Sequence, residues 1–150
     1  MPHEFKIRRV VEFADTDMAG IVHFANYFRY MEQAEHAFYR SLGFSVHTET
    51  ADGWVGWPRV HARCDFRKPL RFEDDVEIHL IVREKRPASI LLDFVFRKLD
   101  GEDAVEVGRG AMTVVCVGAG EGGVGMKART IPKEIADQIE AAPAEPAEAD

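Results

Sequence analysis

The sequence is poor in cysteine and in basic charge, and each shortage argues against a class of function. Only two cysteines occur in 150 residues, Cys64 and Cys116, each inside an apolar or strand-like run. We interpret them as free buried thiols of a reducing compartment, not as a disulfide or a metal site. Lysine and arginine number 19 against 26 aspartates and glutamates, a net charge of −7. Nucleic-acid binding is therefore not expected, because it needs a dominant basic surface.

Long apolar runs and metal-binding patterns are also missing. No run approaches the length of a membrane span, and the first residues, MPHEFKIRRVVEF, carry charges where a signal peptide needs an apolar core. We therefore expect a cytoplasmic protein without membrane contact. The six histidines show no paired spacing that suits zinc, so no metal is indicated. The stretch GEGGVGMK resembles a phosphate loop, but Met126 occupies the position of the required lysine, so a flexible turn is predicted.

Length and composition predict one domain followed by a short tail. With 46% hydrophobic residues, the chain is long enough to bury one core but not two. The last eleven residues, EAAPAEPAEAD, contain four acidic side chains, no basic ones and nothing to bury. We therefore predict a single domain over residues 1–139 and a flexible acidic tail over 140–150.

Hydrophobic periodicity predicts an α+β fold with one long helix. Apolar residues alternate over 5–13, as in a strand, and recur at helical spacing between 27 and 42. The helix should have about eighteen residues, begin near Phe24 to Asn26 and end at Gly43, which lies where a C-cap glycine belongs. A loop with Trp54 and Trp57 follows.

Four successive antiparallel strands are predicted after that loop, near 60–67, 76–83, 90–96 and 105–117. In the first of them Val60 should share the apolar face and Arg59 the opposite face. Gly108 and Gly110 indicate a bulge or a close approach by another element, and Pro132 indicates a helix start. The five-stranded sheet should wrap around the helix, the only large element that can cover it. Its open edges favour pairing with a second copy, so at least a dimer is expected.

The stretch DTDMAGIVHFAN places two carboxylates, Asp15 and Asp17, just before the helix. A helix N-terminus exposes unpaired amides and partial positive charge, so it can bind an anion or the charge that develops on a carbonyl oxygen. A carboxylate at Asp17 could serve there as nucleophile or base, and Gly20 would let the backbone turn tightly against a ligand. The alternative is that both aspartates are loop and capping residues.

The chain resembles the hotdog-fold acyl-CoA thioesterases of the 4-hydroxybenzoyl-CoA thioesterase-like group. The resemblance rests on FADTDMAGIVHFANYFRYMEQAEHAF and continues through DFRKPLRFEDDVEI, REKRPASILLDFVF and IPKEI. It implies a central helix wrapped by an antiparallel sheet, assembly as a dimer or tetramer, and active sites between protomers. It implies hydrolysis of a small or medium acyl-CoA without a metal or other cofactor, the coenzyme being part of the substrate.

The resemblance also implies site residues. Asp17 would attack the thioester carbonyl or direct water onto it, and the backbone amides of Phe24 and Ala25 would polarise the carbonyl oxygen. The substrate-contacting candidates are Gly20, His23, Asn26, Tyr27 and Tyr30. Two of these have structural alternatives: His23 as a supporting residue and Tyr27 as a core residue.

Coenzyme A carries phosphates, for which an acidic protein needs a local basic patch. The turn REKRPAS offers four candidates, Arg83, Lys85, Arg86 and Ser89, with the basic residues of 63–68 as rivals and a solvated hairpin as the alternative. A related branch uses a helix glutamate, but Glu32 and Glu35 are better explained as solvated helix charges. Two other functions stay open: a hotdog dehydratase or hydratase, and a non-catalytic module that binds acyl groups.

Overall fold

A computed structural model describes residues 2–143 and contains one long helix, α1, at Phe24–Ser41. Its eighteen residues and its start agree with the periodicity, and Gly43 follows it with φ of 90°, the left-handed conformation that glycine adopts readily. Tyr30, Met31 and Ala34 of α1 are at most 1% exposed. The helix is therefore the centre of the core.

Within residues 2–143, nine strands form two sheets. They are β1 Glu4–Val10, β2 His47–Thr50, β3 Gly53–Gly56, β4 Arg59–Phe66, β5 Asp75–Lys85, β6 Ser89–Asp100, β7 Asp103–Val115, β8 Val117–Ala119 and β9 Met126–Ala128. The larger sheet has the order β1-β5-β6-β7-β4, with every neighbouring pair antiparallel. Its helix-facing side chains, including Ile78, Leu80, Phe94 and Phe96, are almost completely buried. The α+β class and the five-stranded sheet around α1 are confirmed.

Two expectations about strand order and number are wrong. The four later strands are not neighbours in sequence order, because β4 pairs with β7 at the far edge and not with β5. The region around Trp54 is not a loop, since β2 and β3 pair there and join β8 and β9 in a second sheet of order β2-β3-β8-β9. Strands of three or four residues are too short to show a clear period of two, which is why the sequence pattern did not reveal them.

Gly110 and Gly108 fulfil both roles expected of them. The β6–β7 register shifts between Phe96 and Arg97, which leaves a bulge at Val107 beside Gly108. A Cβ atom on Gly110 would collide with the sulfur of Met31 on α1, and one on Gly108 would lie 2.9 Å from a β4 carbonyl oxygen. The glycines therefore let β7 pass close to the helix and to β4.

Two side-chain placements also depart from expectation. Glu35 is not a solvated helix charge, because it is 0% exposed and contacts Arg59. Arg59 therefore faces the helix, whereas Val60 is 64% exposed. The cause is a register shift between Arg59 and His61, which reverses the expected facing of these two residues.

The last described residues contact the domain. A short helix, α2, covers Lys133–Ala136 directly after Pro132, where a helix start was predicted. Beyond it, the amides of Glu140 and Ala142 donate hydrogen bonds to the carbonyls of Pro2 and Val82. The remainder of the predicted tail, 144–150, lies outside the described residues, and the domain boundary at residue 139 stays a prediction. None of the helices in residues 2–143 is long and apolar enough to cross a membrane.

Candidate active site

The chain between β1 and α1 folds back on itself as a narrow hairpin. Thr16 forms a bridge with Val22, the amide of Asp17 donates to the carbonyl of Ile21 at 2.9 Å, and the amide of Gly20 donates back to Asp17 at 3.0 Å. Gly20 has φ of 78°, which favours glycine at this turn. The hairpin therefore places Asp17 near the residues that begin the helix.

Asp15 ties this hairpin to the helix. Its carbonyl oxygen accepts hydrogen bonds from the amide of His23 at 2.9 Å and from the side chain of Asn26 at 2.8 Å. Its carboxylate accepts from the amide of Glu12 at 3.0 Å and from the hydroxyl of Tyr30 at 2.9 Å. Asp15 and Asn26 therefore connect the hairpin to the helix, which favours the alternative that Asp15 is a loop and capping residue.

Asp17 differs from Asp15 in having acceptor capacity to spare. One carboxylate oxygen, Oδ1, accepts from the amide of Ala19 at 2.8 Å, and within residues 2–143 the other oxygen has no hydrogen-bond partner. The half-buried side chain lines an open groove of about 530 Å³. The other lining residues are Phe13, Thr16, Met18, Gly20 and Phe72. A carboxylate beside an apolar groove is the arrangement expected where a reactive carbonyl attached to an apolar group must be held.

The start of α1 has a free amide. Within the described part of the chain, the amide of Phe24 has no acceptor, whereas the amide of Asn26 donates to the carbonyl of His23 at 2.9 Å. The ring of His23 caps the helix, since its Nδ1 accepts from the amide of Ala25 at a long 3.3 Å. Asp17 is two residues past Asp15, whose carbonyl accepts from the amide of His23 at this cap.

Tyr27 and Tyr30 lie in the core of the protomer, 3% and 1% exposed. The ring of Tyr27 packs edge-on against Phe66 and Phe96 at 4.9 and 5.2 Å. Burial raises the pKa of Tyr27 to about 12, and burial followed by the hydrogen bond to Asp15 raises that of Tyr30 further. Their positions favour the core alternative, and a substrate contact for either stays a prediction.

The turn predicted to bind coenzyme A is already engaged in contacts of its own. Arg86 donates to the carboxylate of Glu84 at 2.9 and 3.1 Å. Lys85 donates to the carbonyls of Ala136 and Ile139 at 2.9 and 2.8 Å, at the end of α2. Arg83 lies 3.8 Å from Asp93, and the carbonyl of Ser89 accepts from the amide of Arg86. These four residues share one hairpin, which is separate from the Asp17 groove.

A second cavity contains basic residues that the sequence patterns did not single out. It measures about 490 Å³, lies on the smaller sheet and is lined in part by Trp54, Lys127 and Arg129. The guanidinium of Arg129 donates to the carbonyl of Asp52 at 3.1 Å, and His47 stacks on Trp54 at 5.1 Å. The sequence signal for this cavity is the placement of Lys127 and Arg129 at alternate positions of a strand-like stretch. The glycine-rich residues before them instead favour a turn.

No group of three or more histidine, cysteine, aspartate or glutamate side chains in residues 2–143 is arranged to hold a metal ion. The long helix, the sheet around it and the carboxylate beside the helix start are together the features of a hotdog-fold protein.

The comparison with protein families gives the class a name. Residues 11–139 match the model of the thioesterase-like superfamily, and the chain belongs to that family. This membership confirms the predicted family and the predicted enzyme class, a thioester hydrolase.

Individual relatives agree. A protein of Aquifex aeolicus (strain VF5) with the provisional name of an esterase is 38% identical over 96 residues, which span 64% of this chain and 74% of that protein. The structure of a gentisyl-coenzyme A thioesterase matches with a TM-score of 0.74 and 32% identity over 88% of this chain and 99% of the other. A 4-hydroxybenzoyl-CoA thioesterase mutant bound to 4-hydroxybenzoyl-CoA matches with a TM-score of 0.77 at 19% identity over 91% and 99%, a likeness in fold alone.

Proposed function

We propose that the protein is an acyl-CoA thioesterase that hydrolyses a small or medium acyl-CoA to the free acid and coenzyme A, with Asp17 as the catalytic carboxylate. The observation that carries the proposal is that one carboxylate oxygen of Asp17 and the amide of Phe24 both lack a hydrogen-bond partner within residues 2–143, while the Thr16–Val22 bridge folds the chain between them into a hairpin. The similarity to the gentisyl-coenzyme A thioesterase supports a CoA ester as the substrate class.

Two routes lead to the same products. In the first, a carboxylate oxygen of Asp17 bonds to the thioester carbon, the C–S bond breaks and coenzyme A leaves as a thiolate, after which water cleaves the mixed anhydride. In the second, Asp17 takes a proton from a water molecule as that water attacks the carbonyl carbon. The C–S bond of the resulting tetrahedral intermediate then breaks, and coenzyme A leaves as the thiol with the proton that Asp17 took up. In both, the unpaired amide of Phe24 would stabilise the negative charge on the carbonyl oxygen, and the amide of Ala25 would join it by exchanging its 3.3 Å bond to His23 for one to that oxygen. His23 would support this site by capping the helix.

The acyl group would enter the groove beside Asp17. Its apolar lining, Phe13, Met18 and Phe72, suits an uncharged acyl group, and a groove of about 530 Å³ is within the usual size range of small-molecule sites. The residues at hand supply nucleophile and electrostatic stabilisation, so the proposed reaction uses no cofactor apart from the coenzyme A of the substrate. Activity that survives dialysis against a chelator would support this point.

A second copy of the chain would complete the site. Strand β4 is an edge strand whose residues are largely exposed, and Val60, Phe66 and Phe24 are 64, 49 and 60% exposed in the single protomer. Apolar side chains and unpaired backbone groups at one edge are features that association removes from water. We therefore propose a homodimer or homotetramer acting in the cytoplasm. Light scattering after gel filtration measures the assembly, and a monomer at micromolar concentration would contradict it.

The decisive experiment measures free thiol released from a panel of acyl-CoAs. Asp17→Asn should reduce kcat by a factor of about a thousand or more, because Asn provides neither a nucleophile nor a base. Asp100→Asn, at the exposed end of β6, serves as the matched control. Near-normal turnover by the Asp17 variant would contradict the proposal that Asp17 is the catalytic carboxylate. Saturable binding without thiol release would favour an acyl-binding module, and loss of an enoyl absorbance without thiol release would favour a hydratase.

A further inference from the structure

Glu35 is a buried carboxylate that the proposed reaction does not use. It is 0% exposed in the middle of α1, and its Oε2 accepts a hydrogen bond from the hydroxyl of Tyr39 at 2.7 Å. Its Oε1 pairs with the guanidinium of Arg59, the first residue of β4. Burial raises the pKa of the Glu35 carboxyl, while Arg59 and then Tyr39 act against that rise. Arg59 and Tyr39 therefore both favour the charged form of this carboxyl group.

Burying the carboxylate of an ion pair seldom adds to stability, because the cost of removing that charge from water can exceed its attraction to the partner, here the partly exposed Arg59. The better attested use of such a pair is to select one arrangement among several that would otherwise be similar in free energy. The β4 strand offers two such arrangements.

The ion pair coincides with an irregularity in β4. Arg59 pairs with Val114 and His61 pairs with Thr113, so Val60 is an extra residue in the β4 strand. Regular alternation would direct Val60 toward the helix together with Ala62, Cys64 and Phe66, and Arg59 toward solvent. The structure has the reverse at these two positions: Arg59 contacts Glu35 and Val60 is 64% exposed. An apolar side chain is thus exposed so that a cation can reach Glu35.

The irregularity lies next to the junction of the two sheets. The carbonyl of Pro58 accepts from the amide of Val115 in the larger sheet, and Gly56 pairs with Val117 in the smaller one. Between them Trp57 is 2% exposed, and its ring lies 5.8 Å from that of Tyr39, which donates to Glu35. A strand without the extra residue would shift this junction by one position. Trp54 and the cavity of Lys127 and Arg129 lie directly beyond it on β3 and its neighbours.

We propose that Glu35 is a positioning residue that maintains the bulge at Val60 by holding Arg59. The bulge fixes the junction of the two sheets. The junction in turn keeps the cavity lined by Trp54, Lys127 and Arg129 in the shape that binds the coenzyme A portion of the substrate. The part of this statement that concerns substrate rests on the proposed function. The part that concerns the bulge does not.

The bulge is tested by the accessibility of position 60. In a Val60→Cys background, labelled after dilution below the dissociation constant of the proposed assembly so that β4 is uncovered, the thiol is exposed and should react readily with a maleimide. The native thiols, Cys64 and Cys116, are half-buried and buried. Adding Glu35→Met and Arg59→Met together keeps the volume of the pair but removes its charges. The strand should then adopt regular alternation, and labelling at position 60 should slow by about tenfold or more as the thiol turns inward. Mass mapping identifies the labelled residue.

Two controls make this labelling interpretable. Arg40→Met removes an exposed cation from the same helix and should leave labelling at position 60 unchanged. His61 is exposed, so the thiol of a His61→Cys variant should stay reactive if only the bulge is lost. If the double variant lacks a native circular dichroism spectrum, Glu35→Gln alone decides the point, since Gln keeps the volume and can still accept from Tyr39. Unchanged labelling at position 60 in a folded variant would overturn the proposal.

The effect on substrate is measured separately. Glu35 lies eleven residues past Phe24, about 16 Å along the helix at 1.5 Å per residue, so the reacting groups should be little affected. In the Glu35 variants KM for acyl-CoA should rise by about tenfold, while kcat should stay within about twofold of its original value. General destabilisation would not raise KM alone. A large fall in kcat at unchanged KM would contradict the positioning role. If no acyl-CoA is hydrolysed by the unaltered protein, the proposed function fails while the labelling result still decides whether Glu35 holds the bulge.

Discussion

The hydroxyl of Tyr30 donates a hydrogen bond to the carboxylate of Asp15 at 2.9 Å, and both groups lie beneath the hairpin that presents Asp17. Two aspartates that look alike in the sequence therefore have different surroundings. Asp15 is engaged by the amide of Glu12 as well as by Tyr30, whereas Asp17 keeps an oxygen free within the described residues. The difference separates a structural carboxylate from a candidate reactive one.

Tyr30→Phe should lower the free energy of unfolding by about 1 kcal/mol, the usual net contribution of one hydrogen bond. The loss should be modest because Asp15 keeps its bond to the Glu12 amide, so no carboxylate is left entirely without a partner. Chemical denaturation of the two proteins measures it. A substrate titration on the same samples tests the predicted contact of Tyr30 with the acyl group, since a raised KM without a change in stability would support that contact over the core role.

The two basic sites predict different responses to mutation. Within residues 2–143 Lys127 makes no ion pair, whereas Arg86 is already held by Glu84. If the cavity on the smaller sheet holds the phosphates of coenzyme A, Lys127→Ala should raise KM by about tenfold, as expected for one charge-assisted contact. Arg86→Ala should then change it little. Steady-state kinetics at two ionic strengths measures both, and the opposite order of effects would favour the hairpin that contains Arg83 and Ser89.

The features that could be predicted from the sequence are those set by neighbours along the chain. The 3.6-residue period defines α1, and the glycine after it marks its end, because each signal depends on a few consecutive residues. The candidate site was found in the same way, from Asp17 and the helix start that follows within seven residues. Local order was sufficient for these elements.

The features that could not be predicted depend on contacts between distant residues. The burial of Glu35 is compensated by Arg59, twenty-four positions away, and nothing near Glu35 in the sequence indicates that partner. The placement of β4 beside β7 pairs Phe66 with Gly108, a choice made by the whole sheet and not by either strand. The same holds for Asp15, whose structural role follows from Tyr30 on the helix. Such pairings become visible only in three dimensions.

Gly110→Ala should destabilise the protein by about 1 to 3 kcal/mol, the usual range for an extra methyl group in a packed core. A Cβ there would collide with the sulfur of Met31 and lie 3.2 Å from the carbonyl oxygen of Arg63. Met31 can move, but it is 0% exposed, so any movement displaces other core residues. Thermal unfolding measures the change. An unchanged melting temperature would show that β7 does not need the close approach to α1 that this glycine permits.

The thiol of Cys64 should be nearly inert in the folded protein. It lies half-buried on β4, where burial, with a smaller contribution from Asp65, raises its pKa to about 12. Because the thiolate is the reactive form, the fraction available at pH 8 should be roughly a thousandfold below that of a free cysteine, whose pKa is about 8.5. Iodoacetamide labelling followed by mass mapping measures the rate, with the denatured protein as the reference.

The same labelling reports on the exposed edge of the sheet. If a second copy covers β4, dilution below the dissociation constant should accelerate labelling of Cys64, because an uncovered edge strand opens more often. Cys116, which is 0% exposed in the core, should show no such dependence and is the internal control. Rapid labelling of Cys64 at high protein concentration would contradict both the raised pKa and the cover. A slow labelling rate that does not change on dilution would support the burial of the Cys64 thiol but would contradict the proposed association at β4.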